Sequence, residues 1–168
     1  MPNSQSSLRY RTASTKPDVG RLVRSTAKNC TNVEFLDTNV LVYAASGFLA
    51  DAAKTRIARS LTTRTGLAIS LQVLQEFYVA ARHRNKLALT HEQAVAYCRQ
   101  WRLFRVLEPS LSLFDDALGL CLRYQIGYYD SAILAAARQL NCKIAYSEDL
   151  THGQDYDGVR VENPFRGI

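Results

Sequence analysis

From residue 33 onward, short apolar runs alternate along the chain with longer stretches in which apolar residues recur at helical spacing. The short runs predict buried strands, and the longer stretches predict amphipathic helices. The predicted strands span residues 33–36, 67–69, 103–107, 143–146 and 159–161. The predicted helices span residues 51–63, 90–101, 111–125 and 131–140, with a further helix after Ser70. Strands that alternate with helices of about ten or more residues indicate an α/β fold with a mainly parallel sheet.

Residues 1–32 differ in composition from the rest of the chain. They are rich in Ser, Thr and Arg and contain six basic side chains but one acidic one, whereas residues 33–168 contain 15 basic and 14 acidic ones. The net charge of +6 therefore belongs mainly to this segment. We predict that residues 1–32 form a disordered basic extension, because they bury too little apolar surface to offset the entropy of ordering, and that residues 33–168 form one domain. An organellar transit peptide and a start upstream of the natural one are alternative interpretations of the extension.

Neither a membrane span nor a cysteine-based framework is predicted. The longest apolar runs, such as residues 40–45, are far too short to cross a bilayer. The four cysteines are scattered, without a CxxC motif or a histidine at ligand spacing, which argues against a structural zinc site and a dense set of disulfides. We therefore expect a cytoplasmic location, where thiols stay reduced.

Four acidic residues occur at positions that suit a shared site. Asp37 directly follows the first predicted strand, and Asp149 follows the strand at residues 143–146. Asp130 comes at the start of a predicted helix, and Glu76 lies beside the apolar stripe of another. In parallel α/β folds, ligands bind beyond the carboxyl ends of the strands. Carboxylates so close to buried surface are costly unless a cation or a hydrogen-bond donor compensates them.

Each of these acids has a simpler interpretation when it is taken alone. Asp37 and Asp130 could be helix N-caps. Glu76 could be a surface residue paired with an arginine, and Asp149 could be a loop acid for which Glu148 is a competing candidate. Their joint occurrence favours a metal site, because Mg²⁺ takes oxygen ligands and clustered carboxylates repel one another without a cation. Such an ion can activate water and neutralise the charge that develops when a phosphodiester is hydrolysed.

Four sequence blocks around these acids resemble the motifs of PIN domains, particularly those of VapC-type toxins from bacterial toxin–antitoxin pairs. The blocks are residues 34–44 (EFLDTNVLVYA), 70–78 (SLQVLQEFY), 129–137 (YDSAILAAA) and 142–150 (CKIAYSEDL), the last continuing to 152–154 and 163–165. They occur in the family's order over about residues 33–166, essentially the whole predicted domain. The extension at residues 1–32 departs from the family pattern, in which the first strand comes almost at the start.

The resemblance implies a three-layer α/β/α sandwich with a mainly parallel sheet, and an endoribonuclease activity that depends on Mg²⁺ or Mn²⁺. The catalytic and metal-binding residues that it implies are Asp37, Glu76, Asp130 and Asp149. Supporting polar residues map to Thr38 or Asn39, beside the first acid, and to Ser147, shortly before the last. The resemblance also implies an RNA substrate, a homodimer and an antitoxin partner that plugs the active site.

Two other functions stay open from the sequence. A PIN domain that kept the fold without catalysis would be an RNA-binding or scaffold domain, although four intact acids argue against this. A metal-dependent DNA nuclease is also compatible, since DNA presents the same phosphodiester. Two basic groups could contact nucleic-acid phosphates, although a solvated face is the simpler interpretation of both. They are Arg82, Arg84 and Lys86 at one helix end, and Arg99, Arg102 and Arg105 near Trp101.

Overall fold

The computed structural model describes residues 32–47 and 51–168. Apart from Asn32, the segment predicted to be disordered lies outside the described residues, so the division into extension and domain stays a prediction. Within the described ranges, no helix is long and apolar enough to cross a membrane.

The described residues form six strands and six helices, which alternate along most of the chain. The strands are β1 (Glu34–Leu36), β2 (Leu67–Ser70), β3 (Arg105–Leu107), β4 (Ile144–Tyr146), β5 (Asp155–Tyr156) and β6 (Val159–Glu162). The helices are α1 (Thr38–Ala45), α2 (Ala52–Thr62), α3 (Leu71–Arg82), α4 (His91–Trp101), α5 (Leu111–Tyr124) and α6 (Tyr128–Gln139).

The strands form one sheet in the order β3-β2-β1-β4-β6-β5. All neighbouring pairs are parallel except β5 and β6, so the predicted α/β class with a mainly parallel sheet is confirmed. Parallel crossovers are right-handed, which places α1–α4 on one face of the sheet and α5–α6 on the other. The helix contacts agree, since α1 packs on α2 and α3, α3 packs on α4, and α5 packs on α6. The strand order reverses direction between β1 and β4, and ligands bind at such a point.

Helix α6 is buried along most of its length because its side chains are small. Every residue from Ser131 to Ala137 is buried, and five of these seven are alanine or serine. The helix contacts β2, β4 and β6 on one side and α5 on the other. Small side chains permit this close packing between two layers. The position of the α6 N-terminus at the edge of the sheet is therefore tightly fixed.

The start of α6 and the presence of β5 differ from the sequence prediction. Helix α6 begins at Tyr128 rather than at residue 131, with Gly127 as its N-cap. The two tyrosines of its first turn are exposed, so they add nothing to the apolar spacing that marks a helix. Strand β5 was not predicted, because two residues are too few to show an alternating pattern.

Candidate active site

The four acids singled out in the sequence line one open cleft of about 1090 Å³. Asp37 follows β1 as the N-cap of α1, and Asp149 lies in the loop after β4. Glu76 comes from the second turn of α3, and Asp130 is the third residue of α6. Because α3 and α6 belong to opposite helix layers, the cleft is walled by both layers at the carboxyl ends of the two central strands.

Asp37 is the most enclosed of the acids, with 9% of its surface exposed. Its Oδ1 accepts the backbone N–H of Thr38 at 2.6 Å, so the residue does cap α1. Its Oδ2 accepts the hydroxyl of Ser147 at 2.6 Å and the amide of Asn39 at 3.2 Å. The helix-cap interpretation and the site interpretation of Asp37 are therefore compatible, since one oxygen serves the helix and the other faces polar side chains from two elements.

Burial raises the pKa of Asp37 from 3.8 to about 6. The hydrogen bonds from Ser147 and Thr38 lower this pKa, and the negative charges of Asp149 and Glu76 raise it. Desolvation thus exceeds the gain from the two donors, and the neighbouring acids add to it. The charged form of Asp37 is therefore costly in the metal-free protein, mainly because the carboxylate is buried.

Neutral donors hold the carboxylate of Glu76. Its Oε2 accepts the hydroxyl of Thr38 at 2.7 Å, and its Oε1 accepts the amide of Gln72 at 2.8 Å. No arginine or lysine of the described residues bonds to it, so within these ranges Glu76 is not half of a surface ion pair. Thr38 thus supports two acids, the first through its backbone N–H and the second through its side chain.

Asn39 connects the first and last acids. Its Nδ2 lies 3.2 Å from Asp37 Oδ2 and 3.2 Å from Asp149 Oδ2, and 3.5 Å from Ser147 Oγ. The backbone N–H of Asp149 donates in turn to Ser147 Oγ at 3.2 Å. The three residues expected to play supporting roles therefore contact the acids directly.

Glu148, the competing acid beside Asp149, is bound elsewhere. Its carboxylate accepts Lys54 Nζ at 2.7 Å and the hydroxyl of Tyr43 at 2.7 Å. Lys54 Nζ also lies 4.6 Å from the centre of the Tyr43 ring, a cation–π distance. Glu148 is therefore neutralised by a lysine, and Asp149 is the acid of this pair that turns towards Asn39.

The carboxylate of Asp130 accepts no hydrogen bond from any residue that the structure describes. Because Gly127 is the N-cap, Asp130 lies in the first turn of α6, and the interpretation of Asp130 as the cap is wrong. Burial raises the pKa of Asp130, and the charges of Asp149 and Glu76 raise it further. This carboxylate is open to the cleft and lacks a donor to balance its charge.

The family model described as the PIN domain matches residues 35–153, a range that contains all four acids. This chain belongs to the PIN-domain family. No curated protein matches the chain significantly.

Solved structures of PIN proteins from toxin–antitoxin systems resemble the chain in fold. The Mycobacterium tuberculosis toxin VapC20, described as cleaving the sarcin–ricin loop, has a TM-score of 0.55 and 22% identity, covering 74% of this chain and 91% of its own. A toxin–antitoxin complex from Klebsiella pneumoniae has a TM-score of 0.59 and 21% identity, covering 79% and 98%. VapBC2 from Rickettsia felis, bound to a DNA fragment from its promoter, has a TM-score of 0.55 and 19% identity, covering 78% and 98%. At these identities the likeness shows the fold.

The chemistry of this PIN cleft fits a hard divalent cation, although the side chains do not form a finished coordination shell. Among the described residues, no three His, Cys, Asp or Glu side chains are close enough together to hold a metal ion. The four acids nevertheless supply the oxygen ligands that Mg²⁺ and Mn²⁺ prefer. The buried Oδ1 of Asn39 also accepts no hydrogen bond within the described part of the chain. Mutual repulsion keeps uncompensated carboxylates apart, and a cation between them would remove that repulsion.

Sequence reasoning missed two residues of the PIN cleft. Gln72 lies one helical turn before Glu76, and its i, i+4 spacing could have indicated the contact. Tyr129 belongs to the unusual Tyr-Tyr pair before Asp130 and lines the cleft beside it. Of the two basic groups noted in the sequence, Arg84 and Lys86 line the cleft, whereas Arg99, Arg102 and Arg105 do not.

Proposed function

We propose that this PIN-domain protein is a metal-dependent endoribonuclease and the toxin of a type II toxin–antitoxin pair. The observation that carries the proposal is the convergence of Asp37, Glu76, Asp130 and Asp149 on one cleft beyond β1 and β4. Burial raises the pKa values of Asp37 and Asp130, and the neighbouring acids raise them further, which supports a site where a cation compensates the carboxylates. Membership of the PIN family supports a nuclease.

In this proposal the four acids hold Mg²⁺ or Mn²⁺. When bound, the ion lowers the pKa of a water molecule and neutralises the charge that develops on the phosphate. Asn39 and Ser147 keep the carboxylates of Asp37 and Asp149 side by side. Thr38 and Gln72 fix both oxygens of Glu76 without adding positive charge, so its full charge stays available to a cation. Such orienting hydrogen bonds support the affinity of a metal site.

An antitoxin partner is supported by the relatives, several of which were solved as toxin–antitoxin complexes. The cleft itself suits such a partner. An arginine or lysine from an antitoxin can form charge-assisted hydrogen bonds to the acids and replace the charge of the metal. Binding of this kind would block the cleft, and we place both proteins in the cytoplasm.

A homodimer is supported by an apolar face on α5. The face consists of Leu111, Phe114, Leu118 and Leu122, of which Leu111 and Leu122 are 83% and 79% exposed. These residues recur every three or four positions, so they lie along one side of the helix. Exposed apolar patches of this kind mark interaction sites on soluble proteins. We propose a second copy of the chain as the occupant, in line with the homodimer that the family resemblance implies.

The function is tested with full-length protein, single-stranded RNA and single-stranded DNA, in Mg²⁺, Mn²⁺ or EDTA. We expect RNA to be cut with either ion and to stay intact with EDTA. The double variant Asp37→Asn/Asp130→Asn, purified in parallel, measures any contaminating nuclease. Undiminished RNA cleavage in EDTA would overturn the metal mechanism, and cleavage of DNA alone would identify a DNA nuclease. RNA binding without cleavage in either ion would indicate a non-catalytic domain.

A further inference from the structure

A turn of basic residues borders the same cleft as the four acids. This basic turn comprises residues 83–86, all of which line the cleft. Arg84 and Lys86 are exposed and form no ion pair with any residue of the described ranges. The four acids thus share one cleft with Arg84 and Lys86 but do not pair with them. The negative charge of the acids and the positive charge of these two residues both stay available to bind a ligand. Unpaired positive charge at the edge of a cleft attracts a phosphate backbone.

The backbone of the basic turn is held in place by hydrogen bonds. The N–H of His83 donates to Ala80 O at 3.2 Å, and the N–H of Lys86 donates to His83 O at 3.0 Å. The N–H of Asn85 donates to His83 Nδ1 at 3.2 Å. Arg82, which precedes the turn, is used internally, since its Nη1 donates to Leu89 O at 2.8 Å. Because the backbone of the basic turn is already fixed, a ligand that binds Arg84 and Lys86 does not have to order that backbone, and this lowers the entropic cost of binding.

An exposed tyrosine lies at another part of the cleft, directly before Asp130. The side chain of Tyr129 is 70% exposed, although its ring meets the ring of Tyr128 edge-on at 5.6 Å. Its carbonyl oxygen accepts Gln72 Nε2 at 3.4 Å, which places the residue near the first turn of α3. A large aromatic ring exposed beside a polar cleft is suited to stacking on a nucleobase.

Tyr129 and the basic turn lie near opposite ends of α3. Gln72 is in the first turn of α3, and His83 is its C-cap. The rise of an α-helix separates these two positions by roughly 16 Å along the axis. Glu76 lies between them on the same helix and lines the same cleft. A ligand that touched both Tyr129 and the basic turn would therefore pass Glu76 in the cleft that the four acids line.

We propose that RNA crosses the cleft as a single strand, with one base stacked on Tyr129 and with phosphates bound by Arg84 and Lys86. The inference rests on the proposed function, because it assigns the substrate contacts of the same cleft. Duplex RNA keeps its bases paired and stacked inside the helix, where Tyr129 cannot reach them. The cleft therefore selects flexible, unpaired segments.

Binding of a fluorescein-labelled single-stranded RNA of mixed sequence, in EDTA to prevent cleavage, tests the basic turn. Fluorescence anisotropy is measured over a range of salt concentrations. The double variant Arg84→Gln/Lys86→Gln should lose two phosphate contacts. Its plot of log affinity against log salt concentration should therefore be less steep than that of the parent by about 1.4. The matched control Arg99→Gln/Arg102→Gln removes the same charge outside the cleft and should keep the parent slope. Equal slopes for the two double variants would overturn the phosphate contacts.

Substitutions of Tyr129 test the stacking contact with the same probe. We expect Tyr129→Ala to weaken single-stranded binding by roughly 5- to 100-fold, as the loss of one base–aromatic stack does. Tyr129→Phe keeps the ring and should bind like the parent, and duplex RNA should bind equally weakly to all three proteins. In cleavage assays with Mg²⁺ the loss should appear in KM more than in kcat. Identical affinities of Tyr129→Ala and the parent for the single strand would overturn the stack.

The measurements distinguish an error in the proposed RNA contacts from an error in the proposed nuclease function. If the parent cuts RNA but all cleft variants bind and cut as it does, the proposed contacts are wrong and the nuclease assignment stands. If the parent binds RNA in the predicted manner but never cuts it with Mg²⁺ or Mn²⁺, the contacts are right and the assignment of a nuclease is wrong. If the variants lose only the binding of an antitoxin, the basic turn is a protein-binding surface and the RNA path is overturned.

Discussion

Ser147 donates a 2.6 Å hydrogen bond from its hydroxyl to the carboxylate of Asp37, and this contact joins the ends of the neighbouring strands β1 and β4. The serine is fully buried, and its Oγ also accepts the N–H of Asp149. One hydroxyl group therefore positions the first and the last acid of the cleft. Its bond to Asp37 also favours the charged form of that acid.

Replacing Ser147 with alanine should lower the cleavage rate by roughly 10- to 100-fold, the usual cost of losing a residue that orients a metal ligand. The pKa of Asp37 should rise further, because a donor to its charged form is lost. The acid limb of the pH–rate profile should therefore move to higher pH, which a purely structural defect would not cause. Thr90→Ala, which removes the side-chain N-cap of α4 and does not line the cleft, is the control. An unshifted acid limb in Ser147→Ala would contradict the positioning role.

Asp37→Asn and Asp130→Asn should each abolish cleavage while leaving the protein folded. Asparagine caps helices about as well as aspartate does, so Asp37→Asn keeps the cap of α1 but loses the charge that binds a cation. Mg²⁺ should raise the melting temperature of the parent more than that of either variant, because a ligand stabilises the state that binds it. Parent rates in both variants, measured by gel assay of a labelled RNA, would refute the assignment of these acids.

The stability of the metal-free protein should fall as the pH rises. The pKa of Asp37 is about 6 in the folded protein and 3.8 in its unperturbed state, so between these values the folded form binds more protons. The contribution of protonated Asp37 to the stability of the fold is complete below about pH 4 and is lost as the pH rises through 6. The loss at neutral pH is on the order of 3 kcal/mol. Urea unfolding in EDTA at a series of pH values measures it.

Asp37→Asn should flatten this pH dependence and be more stable than the parent at neutral pH. The gain in stability of Asp37→Asn should be smaller than the stability that the parent loses at neutral pH. Asn39 Nδ2 donates a hydrogen bond to Asp37 Oδ2, and the side-chain amide of an asparagine at position 37 would place a second donor against it. Mg²⁺ should stabilise the parent increasingly as the pH rises through 6, since the cation competes with the proton. A free energy of unfolding that climbs from pH 4 to 7 in EDTA would contradict the raised pKa of Asp37.

Much of this site could be predicted from the sequence because strand ends and helix periodicity are local properties. Asp37 and Asp149 follow buried strands, and parallel strands bring such positions together. The donors that hold the acids were harder to predict. Thr38 and Glu76 are 38 residues apart, and Lys54 and Glu148 are 94 residues apart. These contacts depend on how the helix layers pack, which no local pattern encodes.

The start of α6 shows a different limit of prediction. A glycine N-cap offers no side chain to recognise, and the exposed Tyr128 and Tyr129 do not continue the apolar stripe. The sequence therefore left open whether Asp130 caps the helix or belongs to the site, and the structure places it inside the first turn, where it lines the cleft.

The apolar face of α5 should hold the proposed dimer together. Leu118→Glu should convert the protein to a monomer, because it places a charge in the middle of the face. Light scattering coupled to size-exclusion chromatography measures the mass. Leu103→Glu is the matched control, since Leu103 is 85% exposed and lies outside α5. A monomeric parent, or a Leu118→Glu variant that stays dimeric, would rule out this interface.

The order in which the acids occur along the chain has a consequence for the cell that makes this protein. Asp37 is translated well before Asp149, which lies in the loop after β4, and β6, the outer neighbour of β4, is translated later still. A growing chain therefore has no assembled cleft while most of it is being translated. On the proposed function, the chain cannot attack RNA through this cleft until it has been translated at least as far as β6. On the same proposal, an antitoxin that binds the assembled cleft can act only after this part of the chain has been made.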